Sequence, residues 1–143
     1  MTSFIYTSFY TKLMNGGGID LDTDTIKVAL LGSGYTPSKA HSTYADISGN
    51  EVTGTGYSAG GATLGSKVIT QDDTNFYSTW DAADPSWPSS IITARYAAIY
   101  KSTGTPSTSF LIALIDFGQV LSTNNSTFSV AFNASGIIRL LAG

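Results

Sequence analysis

The apolar positions of this chain change their spacing once, after the first twenty residues. Near the start, Ile5, Phe9 and Leu13 lie four residues apart, which places their side chains on one face of a helix. Ser3 is a residue type that caps helix N-termini, and the triple glycine that follows ends the pattern because glycine accepts the left-handed C-cap conformation. The spacing predicts a short helix within residues 1–18, with a strand as the alternative because the segment is rich in aromatic residues.

From residue 26 onward the pattern is typical of strands separated by turns. Short runs rich in β-branched and aromatic residues predict strands at 26–31, 67–70, 76–80, 91–100, 110–117, 127–132 and 136–141. No helical spacing lies between them. We therefore expect a mainly β fold, an antiparallel β-sandwich or jelly-roll-like domain with a short N-terminal helix.

The stretch 32–65 fits neither pattern. It is rich in Gly, Ser and Thr, and Gly34-Tyr35-Thr36-Pro37 is a turn signal. Loops of this length are usually functional or disordered, so we expect it to contact a neighbouring protein. The length of 143 residues fits one domain, and residues 1–143 are predicted to form a single β-rich domain.

Composition narrows the classes of partner. Charged residues are 12% of the chain, about half the usual share, and the seven Lys and Arg residues are scattered. A basic stripe that would neutralise phosphates is missing, so we expect no nucleic-acid partner. We also expect no membrane partner, because no run of about 18 apolar residues exists, and no secretory signal at the start. Cysteine is absent, which excludes disulfides and thiolate metal sites.

One short motif has the form of a hydrolase nucleophile elbow. Gly56-Tyr57-Ser58-Ala59-Gly60 matches G-x-S-x-G, but the elbow needs a strand before it, a helix after it and a histidine downstream. The only histidine, His41, lies upstream in a polar loop and is interpreted as solvated. The paired glycines at 32–34 and 54–56 lack the lysine of a phosphate-binding loop. We therefore expect no enzyme, no catalytic residues and no cofactor.

Three alternating aspartates, Asp20, Asp22 and Asp24, resemble the start of a calcium loop. An EF-hand also needs Gly at its sixth position and Glu at its twelfth, where this chain has Thr25 and Leu31. We expect no metal here and interpret the run as a solvated turn that starts a strand. An ion site of another kind at the three aspartates is the alternative.

Aromatic residues make up 12% of the chain, which raises the alternative of a carbohydrate-binding face. Trp80 and Tyr96 fall in predicted strands and are interpreted as core residues. Tyr35, Tyr44 and Tyr57 fall in the long loop, where tyrosine offers apolar area with a polar tip. That combination suits an interface anchor.

Four blocks of the sequence, in order along nearly the whole chain, resemble a family of small structural proteins of tailed-phage virions. They are residues 19–30, 51–64, 92–101 and 111–118. The resemblance implies a structural role in the virion, made in the host bacterial cytoplasm, and we place it as a capsid decoration (cement) protein. A tail, neck or baseplate component and a host-surface carbohydrate-binding module are the alternatives.

The implied partners are further copies of the chain, in a dimer or trimer, and the major capsid protein. The expected contact segments are residues 4–14 and the long loop, and deletion of residues 1–15 is expected to abolish assembly while leaving a soluble fold. The predicted contact residues are Phe4, Ile5, Phe9, Leu13, Tyr35, Tyr44 and Tyr57.

Overall fold

Residues 2–143, which the computed structural model describes, are built mainly from antiparallel strands. In chain order these are β1 (Phe4–Ile5), β2 (Ile26–Leu31), β3 (Ala62–Thr63), β4 (Val68–Asp72), β5 (Tyr77–Asp81), β6 (Ser86–Ser90), β7 (Thr93–Lys101), β8 (Leu111–Ser122), β9 (Ser126–Ser129) and β10 (Ile138–Leu141). One α-helix, α1 (Thr7–Met14), follows β1, and single 3₁₀ turns lie at Tyr44–Asp46, Ser48–Asn50 and Pro106–Thr108. No helix in residues 2–143 has the length and apolarity needed to span a bilayer.

The strands form one large sheet and two small ones. The central sheet has the order β1-β8-β7-β2-β3, and the small sheets have the orders β10-β5-β4 and β6-β9. We call the β10-β5-β4 sheet the small sheet. All pairings are antiparallel, and β7 lies between β2 and β8 with Ile99 opposite Val28 on one side and Ala113 on the other.

One face of the central sheet packs against the two smaller sheets. Val28 and Ile99 point to this face, where Trp80 of the small sheet and Trp87 and Phe128 of the β6-β9 pair complete one apolar core. Alternate residues of a strand point to opposite faces, and β2 contributes Ile26, Val28 and Leu30 to this core. The predicted antiparallel β-sandwich with a short N-terminal helix is confirmed.

The opposite face of the central sheet is covered by the long loop. Leu31 and Tyr96 point to this face and pack against Tyr35 and Ile47 of the loop and against Tyr6. All five side chains are buried. The continuous apolar runs of β2 and β7 follow from this arrangement, because a strand buried on both faces has no polar alternation. The loop is therefore a covering layer of the fold itself.

The helix begins later than the sequence predicts. Phe4 and Ile5 pair with β8 as β1, and the Ser3 hydroxyl accepts a hydrogen bond from the Asp116 N–H at 3.0 Å instead of capping a helix. Tyr6 is the N-cap. Backbone pairing at the edge of a buried sheet thus replaces the first predicted helical turn. The predicted glycine stop is confirmed, since Gly16 has a φ of +64°.

Strand β6 was not predicted, because Pro85 and Pro88 favour a turn in this segment. Proline is tolerated in an edge strand or at a bulge. Among residues 2–143, strand β6 pairs with β9 alone, and its register shifts between Trp87 and Ser90, around Pro88. Both conditions that permit proline in a strand are therefore met.

Candidate functional site

A single carboxylate, that of Glu51, ties the long loop to the central sheet. Its Oε1 accepts hydrogen bonds from the Tyr57 hydroxyl at 2.5 Å and the Gly60 N–H at 2.7 Å. Its Oε2 accepts a hydrogen bond from the Tyr44 hydroxyl, and the Tyr57 oxygen in turn accepts one from the Leu30 N–H at 2.9 Å. We call Glu51, Tyr44, Tyr57 and Gly60 the Glu51 clamp.

The electrostatics of the Glu51 clamp keep its phenols neutral. Burial, then the hydrogen bond to Glu51, raises the pKa of Tyr57 and of Tyr44 well above the usual tyrosine value. Tyr100 stacks on Tyr44 with ring centroids 4.8 Å apart, and burial followed by the charge of Glu51 raises its pKa to about 12. The Tyr100 hydroxyl donates to the Gly60 carbonyl at 2.7 Å. The Glu51 clamp therefore stabilises the attachment of the long loop to the central sheet, and the hydrogen bonds named here all join groups of the same chain.

A second polar chain runs through the other end of the loop. The Tyr6 and Tyr35 hydroxyl oxygens lie 3.2 Å apart, and the Tyr35 oxygen lies 2.8 Å from His41 Nδ1. Nearby, the Asp46 carboxylate accepts two backbone N–H groups of the loop, each at 2.9 Å, and these bonds lower its pKa. His41, interpreted from the sequence as solvated, is half-buried, and its imidazole is also bonded to a core tyrosine.

Two of the predicted contact residues are core residues. Phe9 and Tyr35 are 0% and 3% exposed, so neither side chain offers surface to a partner, and their interface assignment is corrected. Tyr44 and Tyr57 are half-buried and hydrogen bonded to Glu51. The remaining three are the half-buried Phe4 and Ile5 and the exposed Leu13.

The expected effect of deleting residues 1–15 also needs correction. This segment supplies β1, which extends the central sheet, and it supplies Tyr6 and Phe9, both fully buried. Removing two large buried aromatic side chains costs several kcal/mol. We therefore expect the deletion to unfold the chain.

The three aspartates form a turn that leads into β2. Asp20 Oδ1 accepts the N–H groups of Asp22 at 3.0 Å and Thr23 at 3.2 Å. Asp24 Oδ2 accepts the Asp20 N–H and forms an ion pair with Lys101 at 3.0 Å. In residues 2–143 no three His, Cys, Asp or Glu side chains are grouped to hold a metal ion. The Asp20 and Asp24 carboxylates thus stabilise this turn.

Four of the aromatic residues considered for a carbohydrate-binding face belong to the core. Trp80, Trp87, Tyr96 and Tyr100 are all buried within the chain. Ser58 of the G-x-S-x-G motif lies in an exposed turn. The four aromatic side chains are therefore part of the core, and Ser58 is part of a surface turn.

The exposed apolar surface lies elsewhere, between helix α1 and the small sheet. Here a groove of about 330 Å³ is lined by Leu13, Ile69 and Leu140 at its rim and by Phe9 and Trp80 deeper in. The rim side chains are 37%, 53% and 44% exposed. We call this the α1–small-sheet groove. Further exposed apolar side chains on the same elements or the adjoining turn are Tyr10, Met14, Val68, Phe76 and Leu141.

Sequence reasoning found the strands of this surface but not their exposure. The segment Val68-Ile69-Thr70 has the composition of any half-buried strand. Two features of the sequence indicate that this strand is exposed. The segment is short, and it ends in the acidic pair Asp72-Asp73; charges at a strand end are common at sheet edges.

Comparisons of the chain with family models, curated proteins and solved structures gave no match.

Proposed function

We propose that this chain is a structural protein of a tailed-phage virion, and that it acts as a capsid decoration protein which stabilises the head by protein–protein contacts. The observation that carries the proposal is the α1–small-sheet groove together with the exposed strand β4 beside it. Contiguous exposed apolar side chains mark protein contact sites. The sequence resemblance to virion structural proteins supplies the biological setting.

The groove suits a protein–protein contact made by apolar packing. Leu13, Ile69 and Leu140 surround a concave apolar surface, into which an apolar side chain of a capsid subunit fits. Each square ångström of apolar area removed from water contributes about 25 cal/mol. A protein that spans two capsid subunits adds this free energy at their boundary and opposes their separation.

The Glu51 clamp supports the same role. It fixes residues 44–60 against the central sheet through four hydrogen bonds. Association costs free energy when loops must become ordered at an interface. A chain whose longest loop is already bonded into its core avoids that cost when the α1–small-sheet groove makes the contact.

The test is a cryo-EM reconstruction of particles in which mass spectrometry has identified the protein. We expect density that repeats over the icosahedral shell, with the α1–small-sheet groove facing the capsid. Density confined to the tail or portal vertex would overturn the decoration role in favour of a tail or neck component. Absence of the protein from purified particles would overturn the virion role altogether.

A matched pair of variants tests the groove in the same particles. Ile69→Lys places a charge at the groove rim, and Val120→Lys places one on β8 at a side chain of similar exposure, 48% against 53%. We expect Ile69→Lys to be lost from particles and Val120→Lys to be retained. Equal retention of both would show that the groove makes no contact.

A further inference from the structure

We propose that strand β4 pairs antiparallel with β4 of a second copy, about a two-fold axis that passes midway between the two Thr70 residues. The inference rests on the proposed structural role and deepens it by naming a second copy of this chain as the partner. The paired copies form one continuous six-stranded sheet, β10-β5-β4 followed by β4-β5-β10 of the second copy.

The backbone of β4 is available for such pairing. Strand β4 is the end strand of the small sheet, and in residues 2–143 only β5 pairs with it. Its pairing with β5 has no register shift, it contains no proline, and residues 68–71 are exposed. Native proteins usually protect an edge strand with proline, a bulge or a central charge. This edge has none of these devices between Val68 and Gln71.

Symmetry and charge together select one register. A two-fold axis between antiparallel strands of one sheet is perpendicular to the sheet, so each residue lies opposite a residue that points to the same face. Lys67 precedes β4 and Asp73 follows it, each three residues from Thr70. Pairing centred on Thr70 places Lys67 opposite Asp73 of the second copy, twice. The next allowed registers place Lys67 opposite Gln71 or Asn75, without an opposite charge.

The same register uses the whole strand and joins the apolar surfaces. Because Thr70 is the midpoint of β4, all of Val68–Asp72 is paired. Ile69 lies diagonally across from Ile69 of the second copy, within reach of a cross-strand contact. Since Ile69 lines the α1–small-sheet groove, the grooves of the two copies meet at the axis.

The side chains at the ends are compatible with this contact. The Lys67 ammonium donates to the Asp24 carbonyl, and a lysine ammonium has three N–H donors. Asp73 is exposed and accepts a hydrogen bond from Gln71 Nε2 at 2.6 Å. Carboxylate oxygens accept more than one hydrogen bond, so Asp73 can also accept one from the partner lysine.

The other edge of the small sheet, β10, is less suitable. Its four residues include Arg139, whose guanidinium lies 4.0 Å from the centre of the Tyr77 ring. Symmetric pairing centred on Arg139 or on Leu140 places the two arginines directly or diagonally opposite each other. Like charges in these positions oppose pairing.

Cysteine substitution tests the register, because the natural chain has no cysteine. Opposed residues in antiparallel strands have Cα atoms about 4.5–5.5 Å apart, which is within the range for a disulfide. We expect Thr70→Cys to form a disulfide-linked dimer under mild oxidation. Val68→Cys, on the same strand and face, is the matched control, since the two copies of residue 68 lie roughly 13 Å apart in this register. Equally fast cross-linking of both variants, or of neither, would overturn the proposed pairing.

Charge exchange tests the ends of the strand. Asp73→Lys places Lys67 of each copy opposite a second lysine. We expect this repulsion to raise the dissociation constant of the dimer at least about fivefold, as measured by analytical ultracentrifugation. Lys67→Asp is expected to weaken the dimer similarly, with circular dichroism to verify its fold. Mixing the two variants restores both ion pairs, so a heterodimer forms in preference to either homodimer. Unchanged dimerisation in all three samples would contradict the register.

These measurements use purified protein, so they test the dimer independently of the proposed role in the virion. A dimer with this register in a chain that is absent from virions would leave the pairing intact and overturn the proposed function. A chain found on capsids that fails the cysteine and charge tests would retain the function and overturn the pairing.

Discussion

The Tyr57 hydroxyl donates a hydrogen bond to Glu51 at 2.5 Å while its oxygen accepts one from the Leu30 N–H at 2.9 Å. One phenol thus connects the carboxylate that anchors the loop to the backbone of a central strand. Leu30 is fully buried, so its N–H has no ready replacement partner if the phenol moves. Loop order and sheet order are therefore coupled through Tyr57.

We expect Glu51→Gln to lower the free energy of unfolding by about 2 kcal/mol, because the amide loses the charge that strengthens its accepted hydrogen bonds. Urea unfolding followed by circular dichroism measures the change. Asp22→Asn is the control, since it makes the same chemical change at an exposed carboxylate. A loss no larger than that of the control would show that the Glu51 clamp does not stabilise the loop.

The buried tyrosines, including the two of the Glu51 clamp, also predict an alkaline transition. Burial, followed by hydrogen bonds and nearby charge, raises the pKa of Tyr6, Tyr44 and Tyr57 in the folded chain, and burial with the charge of Glu51 raises that of Tyr100 to about 12. A raised folded pKa contributes stability that is fully present below the unfolded value of about 10 and is lost as pH rises through the folded value.

We therefore expect these four of the eight tyrosines to ionise only as the chain unfolds above about pH 10. Tyrosinate absorbance and circular dichroism, recorded together during an alkaline titration, test this coincidence. Complete ionisation of all tyrosines near their ordinary pKa with the fold intact would contradict it.

The strands were predictable to the extent that local composition determined them. The bounds of β2, 26–31, match because its apolar run is flanked by polar residues on one side and glycine on the other. The partners of the loop were not predictable. The Glu51 contacts and the hydrogen bond from Trp80 Nε1 to the Leu21 carbonyl, 59 residues away, join segments whose proximity only the folded chain defines.

Residues at the same spacing along the predicted helix also differ in how far they are buried. Phe9 and Leu13 lie on one face of α1, yet Phe9 is fully buried and Leu13 is 37% exposed. The helix face extends past the core on which it packs, and its last turn reaches the rim of the groove. A periodic pattern gives the direction of side chains, but the extent of the opposing layer decides which of them are covered.

Gly61 illustrates a requirement of close packing beside β2. Its φ is +77°, and a Cβ atom there would lie 1.8 Å from the Val28 carbonyl oxygen. Gly104 has a similar φ of +85° but no atom within 4 Å of a built Cβ. The two glycines therefore separate the cost of a left-handed backbone from the cost of a steric clash.

We expect Gly104→Ala to cost about 1 kcal/mol, the penalty of a non-glycine residue in the left-handed region. Gly61→Ala adds a clash with backbone that no rotamer relieves, so we expect a loss above about 3 kcal/mol or no folded protein. Thermal unfolding of both variants measures the difference. Similar stabilities would indicate that β3 moves away from β2 without cost.

An ion pair across the central sheet predicts a stability difference that depends on pH. Arg95 Nε lies 2.8 Å from Asp116 Oδ1, and the Asp116 side chain is 2% exposed. Asp116 also accepts the Gly118 N–H at 2.8 Å. The Arg95 hydrogen bond, which is the largest effect, lowers the pKa of Asp116 below its usual range.

A lowered folded pKa contributes stability above the unfolded value of about 3.9 and loses it as pH falls through the folded value. We expect Asp116→Asn to cost about 2 kcal/mol near neutral pH, because Arg95 loses its charged partner. The gap between the natural chain and this variant should narrow when the pH is lowered from neutral to below the unfolded value, because Asp116 is progressively protonated there and the two side chains become alike. Urea unfolding at both pH values measures the gap, with Asp22→Asn as the control. Both proteins share every other carboxylate, so a gap of the same size at both pH values would assign the stabilisation to packing rather than to the charge of Asp116.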